Sequence, residues 1–136
     1  MGDGLQVPVG NGGLGPNYYW TQTLKEVCVF VDVPRTIRGK DIKCLIQPRS
    51  VCLEVKGQRT VAGDFEDTIK ASESLWSLVL DPQISEPGQI VITLEKTRPM
   101  WWKHVLDGHP CIDTTKVRQL DNHCLFLSYW QKSHTS

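Results

Sequence analysis

The stretch Glu26-Val27-Cys28-Val29-Phe30-Val31-Asp32-Val33 alternates without a fault. Val27, Val29, Val31 and Val33 fall on one side of an extended chain; Glu26, Cys28, Phe30 and Asp32 fall on the other. Successive side chains of a strand point to opposite faces, so this period of two predicts a strand with one face against a core. Branching at Cβ gives the four valines a preference for the same geometry.

Outward from this stretch the pattern recurs. Ile42, Cys44 and Ile46 alternate, as do Val51, Leu53 and Val55, with Glu54 and Lys56 turned away. Residues 75–80 form a shorter, more continuous apolar run, and Ile90, Ile92 and Leu94 alternate with Val91, Thr93 and Glu95. Breakers separate the runs: Pro34 and Gly39, Pro48-Arg49, Lys56-Gly57-Gln58, and Pro82 to Gly88. Strands spaced by roughly 8–12 residues with turns between them predict a sandwich or barrel. No long helical period precedes residue 98, which disfavours a parallel βαβ sheet. The expected fold class is all-β and antiparallel.

Past Lys96 the pattern stops. Trp101 and Val105, and Trp102 and Leu106, stand four apart, which predicts one amphipathic helical turn ended by Gly108 and Pro110. Adjacent residues cannot both face one core. One of Trp101 and Trp102 is therefore expected to close the bottom of the sandwich, leaving the other free for binding, where tryptophan is favoured. Trp20 and Trp76 lie in predicted strands and are expected to pack the edge or end of the core.

The two ends read differently. Residues 1–17 hold six of the 11 glycines with Pro8 and Pro16 and no apolar period, which predicts a flexible linker. Gly10, Gly12 and Gly15 make a formal G-x-G-x-x-G, but no strand precedes it and Pro16-Asn17 follows, so the phosphate-cradling reading is rejected. Residues 119–136 contain an apolar patch, Cys124 to Leu127 with Tyr129 and Trp130, to which no role attaches.

Composition narrows the function. Over 136 residues, 15 Lys plus Arg balance 15 Asp plus Glu, without the basic footprint of a nucleic-acid binder. No apolar run approaches the roughly 20 residues that span a bilayer, so no membrane partner is expected. The first residues lack the basic and apolar regions of a secretory signal, and five cysteines with no C-x-x-C pair suit a reducing compartment. The expected location is the cytoplasm, and also the nucleus.

Chemistry is thin. His104, His109 and His123 with Cys111 and Cys124 are the only candidates for Cys/His catalysis or zinc, and their spacing lacks the paired pattern of closed zinc sites. No nucleophile elbow, P-loop or H-E-x-x-H helix occurs, so neither an enzyme nor a cofactor is expected. Lys56, Lys96, Arg98 and Lys103 read as charges at strand ends or on polar faces. Beside an exposed tryptophan they would steer an acidic partner. Gly57, between Lys56 and Gln58, lets a partner's backbone approach closely.

Tyr18-Tyr19-Trp20-Thr21-Gln22-Thr23-Leu24 resembles the Tyr-x-Trp-x-Gln-Thr opening of the CS domain of the NudC (nuclear distribution) family. The likeness continues, in order, through Lys40-Asp41-Ile42, Val55-Lys56-Gly57-Gln58, Gly63-Asp64-Phe65, Glu73-Ser74-Leu75-Trp76, Ile92-Thr93-Leu94-Glu95-Lys96, Met100-Trp101-Trp102 and Ile112-Asp113-Thr114-Thr115-Lys116-Val117. It makes Tyr19, Trp20, Gln22 and Trp76 structural signature positions. Met100 departs from the family, standing where an acidic residue is expected.

The resemblance implies a seven-stranded antiparallel β-sandwich over residues 18–107, similar to small heat-shock co-chaperones and the α-crystallin core, with 108–136 as an extension. It also implies a non-enzymatic co-chaperone or adaptor. The implied partners are a heat-shock chaperone of the ninety-kilodalton class, β-propeller or unfolded clients, and dynein-pathway proteins of nuclear movement. The expected contact residues are Lys56, Gly57, Gln58, Lys96, Arg98, Trp101, Trp102 and Lys103. A stand-alone ATP-independent holdase, catching unfolded chains on strand edges, is the alternative.

Overall fold

The computed structural model describes residues 5–80 and 87–117. In chain order its strands are β1 (Leu14–Gly15), β2 (Tyr18–Gln22), β3 (Glu26–Val33), β4 (Ile42–Gln47), β5 (Ser50–Val55), β6 (Gln58–Asp64), β7 (Leu75–Val79) and β8 (Gly88–Glu95). Three single-turn 3-10 segments accompany them, and no α-helix occurs among the described residues. The eight strands form two antiparallel sheets, ordered β1-β2-β3-β8-β7 and β4-β5-β6.

The alternating stretch is the centre of the larger sheet. β3 pairs with β8 over its whole length, from Glu26 opposite Glu95 to Val33 opposite Gly88. Its four valines are buried together with Ile90, Ile92 and Leu94 of β8 and Val51, Leu53 and Val61 of the smaller sheet. This is the expected sandwich. Periodicity alone did not reveal β6, where Val61 is the one fully buried apolar side chain. At the β5–β6 hairpin Lys56 and Gly57 both take positive φ, 52° and 80°, the left-handed pair that a two-residue turn demands.

Among the described residues, seven strands fall within residues 18–107, as expected, and the glycine-rich segment adds β1 as an eighth. The linker expectation for residues 1–17 is corrected over its described part. Gln6 pairs with Ile112, its N–H donating to the Cys111 carbonyl at 2.9 Å and its carbonyl accepting from Asp113 N–H at 2.9 Å. The Gln6 carboxamide brackets Leu14, accepting from its N–H and donating to its carbonyl. Gly12 and Gly13 are buried, and a Cβ on Gly12 would collide with the Trp20 backbone oxygen. These glycines admit a close backbone crossing, which glycine content alone does not distinguish from flexibility.

A second correction concerns residues 101–106. They form no helical turn: Leu106 pairs with Phe65 in an isolated antiparallel bridge, and Trp102, Val105 and Leu106 turn into the core. Specific side chains capture the backbone here before a helix can use it. Gln22 binds both backbone groups of Trp102, and the Glu66 carboxylate accepts from the N–H groups of Lys103 and His104 at 2.6 and 3.1 Å. The patch at 124–130 lies outside the described residues.

Candidate partner-binding site

The paired tryptophans divide as adjacency requires. Trp102 is 0% exposed and packs against Phe65, with ring centroids 5.9 Å apart. Trp101 is half-buried. What separates them is a polar hub beneath. The Gln22 carboxamide, 4% exposed, donates to the carbonyls of Asn11 and Trp102 at 2.9 Å each, and accepts from Trp102 N–H at 3.0 Å and from Lys96 Nζ at 2.8 Å. All four of its hydrogen-bonding positions are used.

Lys96 is the main departure among the expected contact residues. Read as a solvated charge at a strand end, it is 3% exposed. Its Nζ donates to Gln22 Oε1 and to the carbonyls of Thr23 and Met100, the last two at 2.6 Å each, so its three donors are all engaged. The nitrogen lies 5.6 Å from the Trp101 ring centroid and 5.8 Å from that of Trp102, within range of a cation–π attraction to both. Desolvation by burial pushes its pKa from 10.5 down to about 7, against an opposing pull from the Glu66 carboxylate. Lys96 therefore holds the Met100–Trp102 backbone from inside and presents nothing to a partner directly. Alternation along β8 is what turns it inward; nothing in its charge foretold this.

Arg98 and Lys103 remain at the surface on either side of the tryptophans. Arg98 makes a forked pair with Asp67, Nε to Oδ2 at 2.9 Å and Nη2 to Oδ1 at 3.3 Å, with 70% of its side chain exposed. The guanidinium holds the Asp67 carboxyl below the usual carboxylate range. Lys56, Gly57 and Gln58 do not join this group. Arg49, just before β5, contacts Thr68 beside Asp67, while Lys56 follows β5, whose six residues span roughly 20 Å. The exposed hairpin tip is thus at the opposite end of the sandwich.

Of the signature positions, Trp20 is 1% exposed, Trp76 is partly buried against the core, and Tyr19 lies on the outer face stacked on Phe30 at 4.7 Å. Glu66 escaped sequence reasoning. A carboxylate in a loop carries no periodic signal, and its role exists only because residues 103–104 arrive above it. His104 Nε2 lies 3.8 Å from carboxylate oxygens of Glu66 and Asp107, and the His109 ring meets Tyr18 OH at 2.7 Å through Nδ1.

Residues 16–96 match the CS domain family, more than half of the chain. Human NudC domain-containing protein 2 is 42% identical over 118 residues, covering 85% of this chain and 71% of its own length. The nuclear migration protein nudC of Drosophila melanogaster is 33% identical over 117 residues, 83% of this chain and 33% of its own. Protein BOBBER 2 of Arabidopsis thaliana is 29% identical over 109 residues, 79% and 36% respectively. Against several such relatives the chain spans only about a third of their length. Among solved structures, the CS domain of the human KIAA1068 protein aligns with a TM-score of 0.62 at 25% identity over 76% of this chain and 82% of its own. Mouse NudC domain-containing protein 2 aligns at 0.51 and 31% over 90% of each. The sandwich and these relatives agree, and the chain belongs to the CS-domain proteins of the NudC family.

Proposed function

We propose that the protein is a non-enzymatic co-chaperone or adaptor whose contact surface is the Trp101 loop, flanked by Arg98 and Lys103. The observation that carries this reading is the division of the tryptophan pair. Trp102 is sealed and bonded through its backbone, while Trp101 stands half out of the surface above a buried ammonium. A large aromatic ring held rigidly at a surface loses little entropy on binding, as interface hot spots require. The two flanking cations favour an acidic partner surface and raise its association rate.

Membership in this family supports a heat-shock chaperone of the ninety-kilodalton class as the partner, with β-propeller or unfolded clients. Relatives named for nuclear migration support a link to dynein-dependent movement. Action in the cytoplasm and nucleus belongs to the same reading. Calorimetric titration of the full chain into the purified chaperone tests it. Saturable binding is expected, weakened by about tenfold in Trp101→Ala and unchanged in Lys56→Glu at the far end. Loss in Lys56→Glu alone would move the surface to the hairpin tip.

A holdase is the second reading. Among the described residues β4 and β7 each pair on one side only and carry Leu45 and Leu75, 58% and 57% exposed, so both edges offer backbone and apolar contacts to an unfolded chain. Absence of saturable chaperone binding, together with suppressed aggregation of a denatured test protein, would favour it.

A further inference from the structure

The end of the sandwich opposite the Trp101 loop carries an inference that does not rest on that reading. Two turns meet there. The 3-10 segment Gly39–Asp41, which leads into β4, and the Lys56-Gly57 tip between β5 and β6 are tied by a 2.7 Å hydrogen bond from Lys56 N–H to the Asp41 carbonyl. Arg38, Lys40 and Lys56 are exposed on these turns. Just inside the strands, the register sets Lys43, Glu54 and Arg59 side by side across β4, β5 and β6. They lie on the outer face, because the adjacent Ile42 and Leu53 face the core.

Five cations thus share this end of the smaller sheet. β4 and β6 stand about 10 Å apart across β5, close to the screening length of about 8 Å, so the fields of their charges add. The acids among them do not cancel the excess. The Asp41 carboxylate is turned back onto the Arg38 N–H at 3.1 Å, and Glu54 is one charge between Lys43 and Arg59. Among the described residues none of the five cations makes an ion pair, whereas Arg98 at the other end is matched by Asp67. Arg35 is already engaged and adds nothing to them. Asp81 and Glu86 belong to the connection between β7 and β8 of the other sheet and lie outside the described residues. A chain that is neutral as a whole therefore carries a local positive pole.

The surroundings of the pole select its partner. Gly39 and Gly57 have open space over their Cα atoms, so no side chain at these positions keeps a partner's backbone away. Residues 34–59 contain no Phe, Trp or Tyr, and so no platform on which nucleic-acid bases could stack. The cations are spread over two turns and two strands and do not converge on one point, which suits a row of carboxylates better than a single phosphate. We infer that this end binds an Asp- and Glu-rich segment of a partner protein, through Arg38, Lys40, Lys43, Lys56 and Arg59, as a second surface set apart from the Trp101 loop.

Fluorescence anisotropy of a labelled decaglutamate peptide, titrated with the full chain, tests this. Saturable binding is expected, falling as salt rises and weakened by about tenfold or more in Lys40→Glu/Lys56→Glu. Lys25 and Lys70 are exposed at the other end, where their backbones bond Lys96 and Glu95. Lys25→Glu/Lys70→Glu makes the same change in net charge and should alter binding by no more than about twofold. Absence of binding to the wild type would overturn the inference. Equal losses in the two double variants would also overturn it, by showing a response to net charge alone. Loss in Lys103→Glu with none in Lys40→Glu/Lys56→Glu would assign the acidic peptide to the Trp101 end. Tighter binding of a ten-nucleotide oligothymidylate would reject a protein partner in favour of nucleic acid. If Lys40→Glu/Lys56→Glu lowers the thermal midpoint, Lys40→Gln/Lys56→Gln decides: weakened binding upholds the inference and unchanged binding rejects it.

Discussion

The carboxamide of Gln22 is bonded to both backbone groups of Trp102, donating to its carbonyl at 2.9 Å and accepting from its N–H at 3.0 Å, across 80 residues of chain. One side chain thus bonds both backbone groups of a residue, as a neighbouring strand would, at this end of the sandwich. The same amide holds Asn11 and Lys96, so three distant segments meet on it.

Replacing Gln22 by alanine should therefore cost more than an ordinary polar deletion. It leaves buried backbone groups of Trp102 and one Lys96 donor unmet, at about 1–3 kcal/mol for each such group with partial relaxation. The expected loss is roughly 2–4 kcal/mol in urea unfolding at an unchanged m-value. A loss near zero would mean that water replaces the amide without penalty.

The two tryptophans should separate in the same measurement. Trp102→Ala empties a fully buried site and should cost about 3–5 kcal/mol. Trp101→Ala, at a half-buried ring, should cost about 1 kcal/mol and leave the fold intact. Equal losses would remove the basis for assigning Trp101 to binding.

Lys96 makes stability depend on pH in a defined direction. Its pKa is about 7 in the folded protein against 10.5 in the ordinary state. Between these values the unfolded chain binds the extra proton, so stability rises with pH from about 7 upward. The slope approaches about 1.4 kcal/mol per pH unit. Cys28 and Cys44, pushed up to about 11 from 9.0 by burial, act oppositely above pH 9, so the range below about 8.5 is the informative one. Urea midpoints should climb across it for the wild type and stay flatter for Lys96→Met. Parallel curves would show that Lys96 keeps its proton throughout.

Gly12→Ala tests whether residues 6–15 belong to the fold. The added methyl would strike the Trp20 carbonyl, and backbone yields little. A loss of about 1–3 kcal/mol is expected from thermal unfolding. Wild-type stability in this variant would restore the linker reading.

Much of the sandwich was legible because its signal is local. The valines of β3 and the isoleucines of β8 declare their faces by alternation, whatever they pack against. β6 lacked that signal, having Val61 as the one buried apolar residue among its seven. In the candidate site, adjacency alone required Trp101 and Trp102 to part ways, but not which would be buried.

Alternation and turn chemistry were enough for most of the strands, β1 and β6 excepted, and for the antiparallel all-β class, since these signals rest on residues a few positions apart; the resemblance came from the ordered set of short motifs. That Lys96 is an internal anchor, that Gln22 closes on Trp102, and that the glycines at 12 and 13 admit a backbone crossing follows from the folded arrangement alone. The Gln22 and Lys96 outcomes depend on partners 11 to 80 residues away along the chain, and the crossing at Gly12 on Trp20, eight residues on. A lysine is charged and a glycine is small in any sequence; whether that means solvent or core, freedom or close approach, is settled by what the fold brings against it.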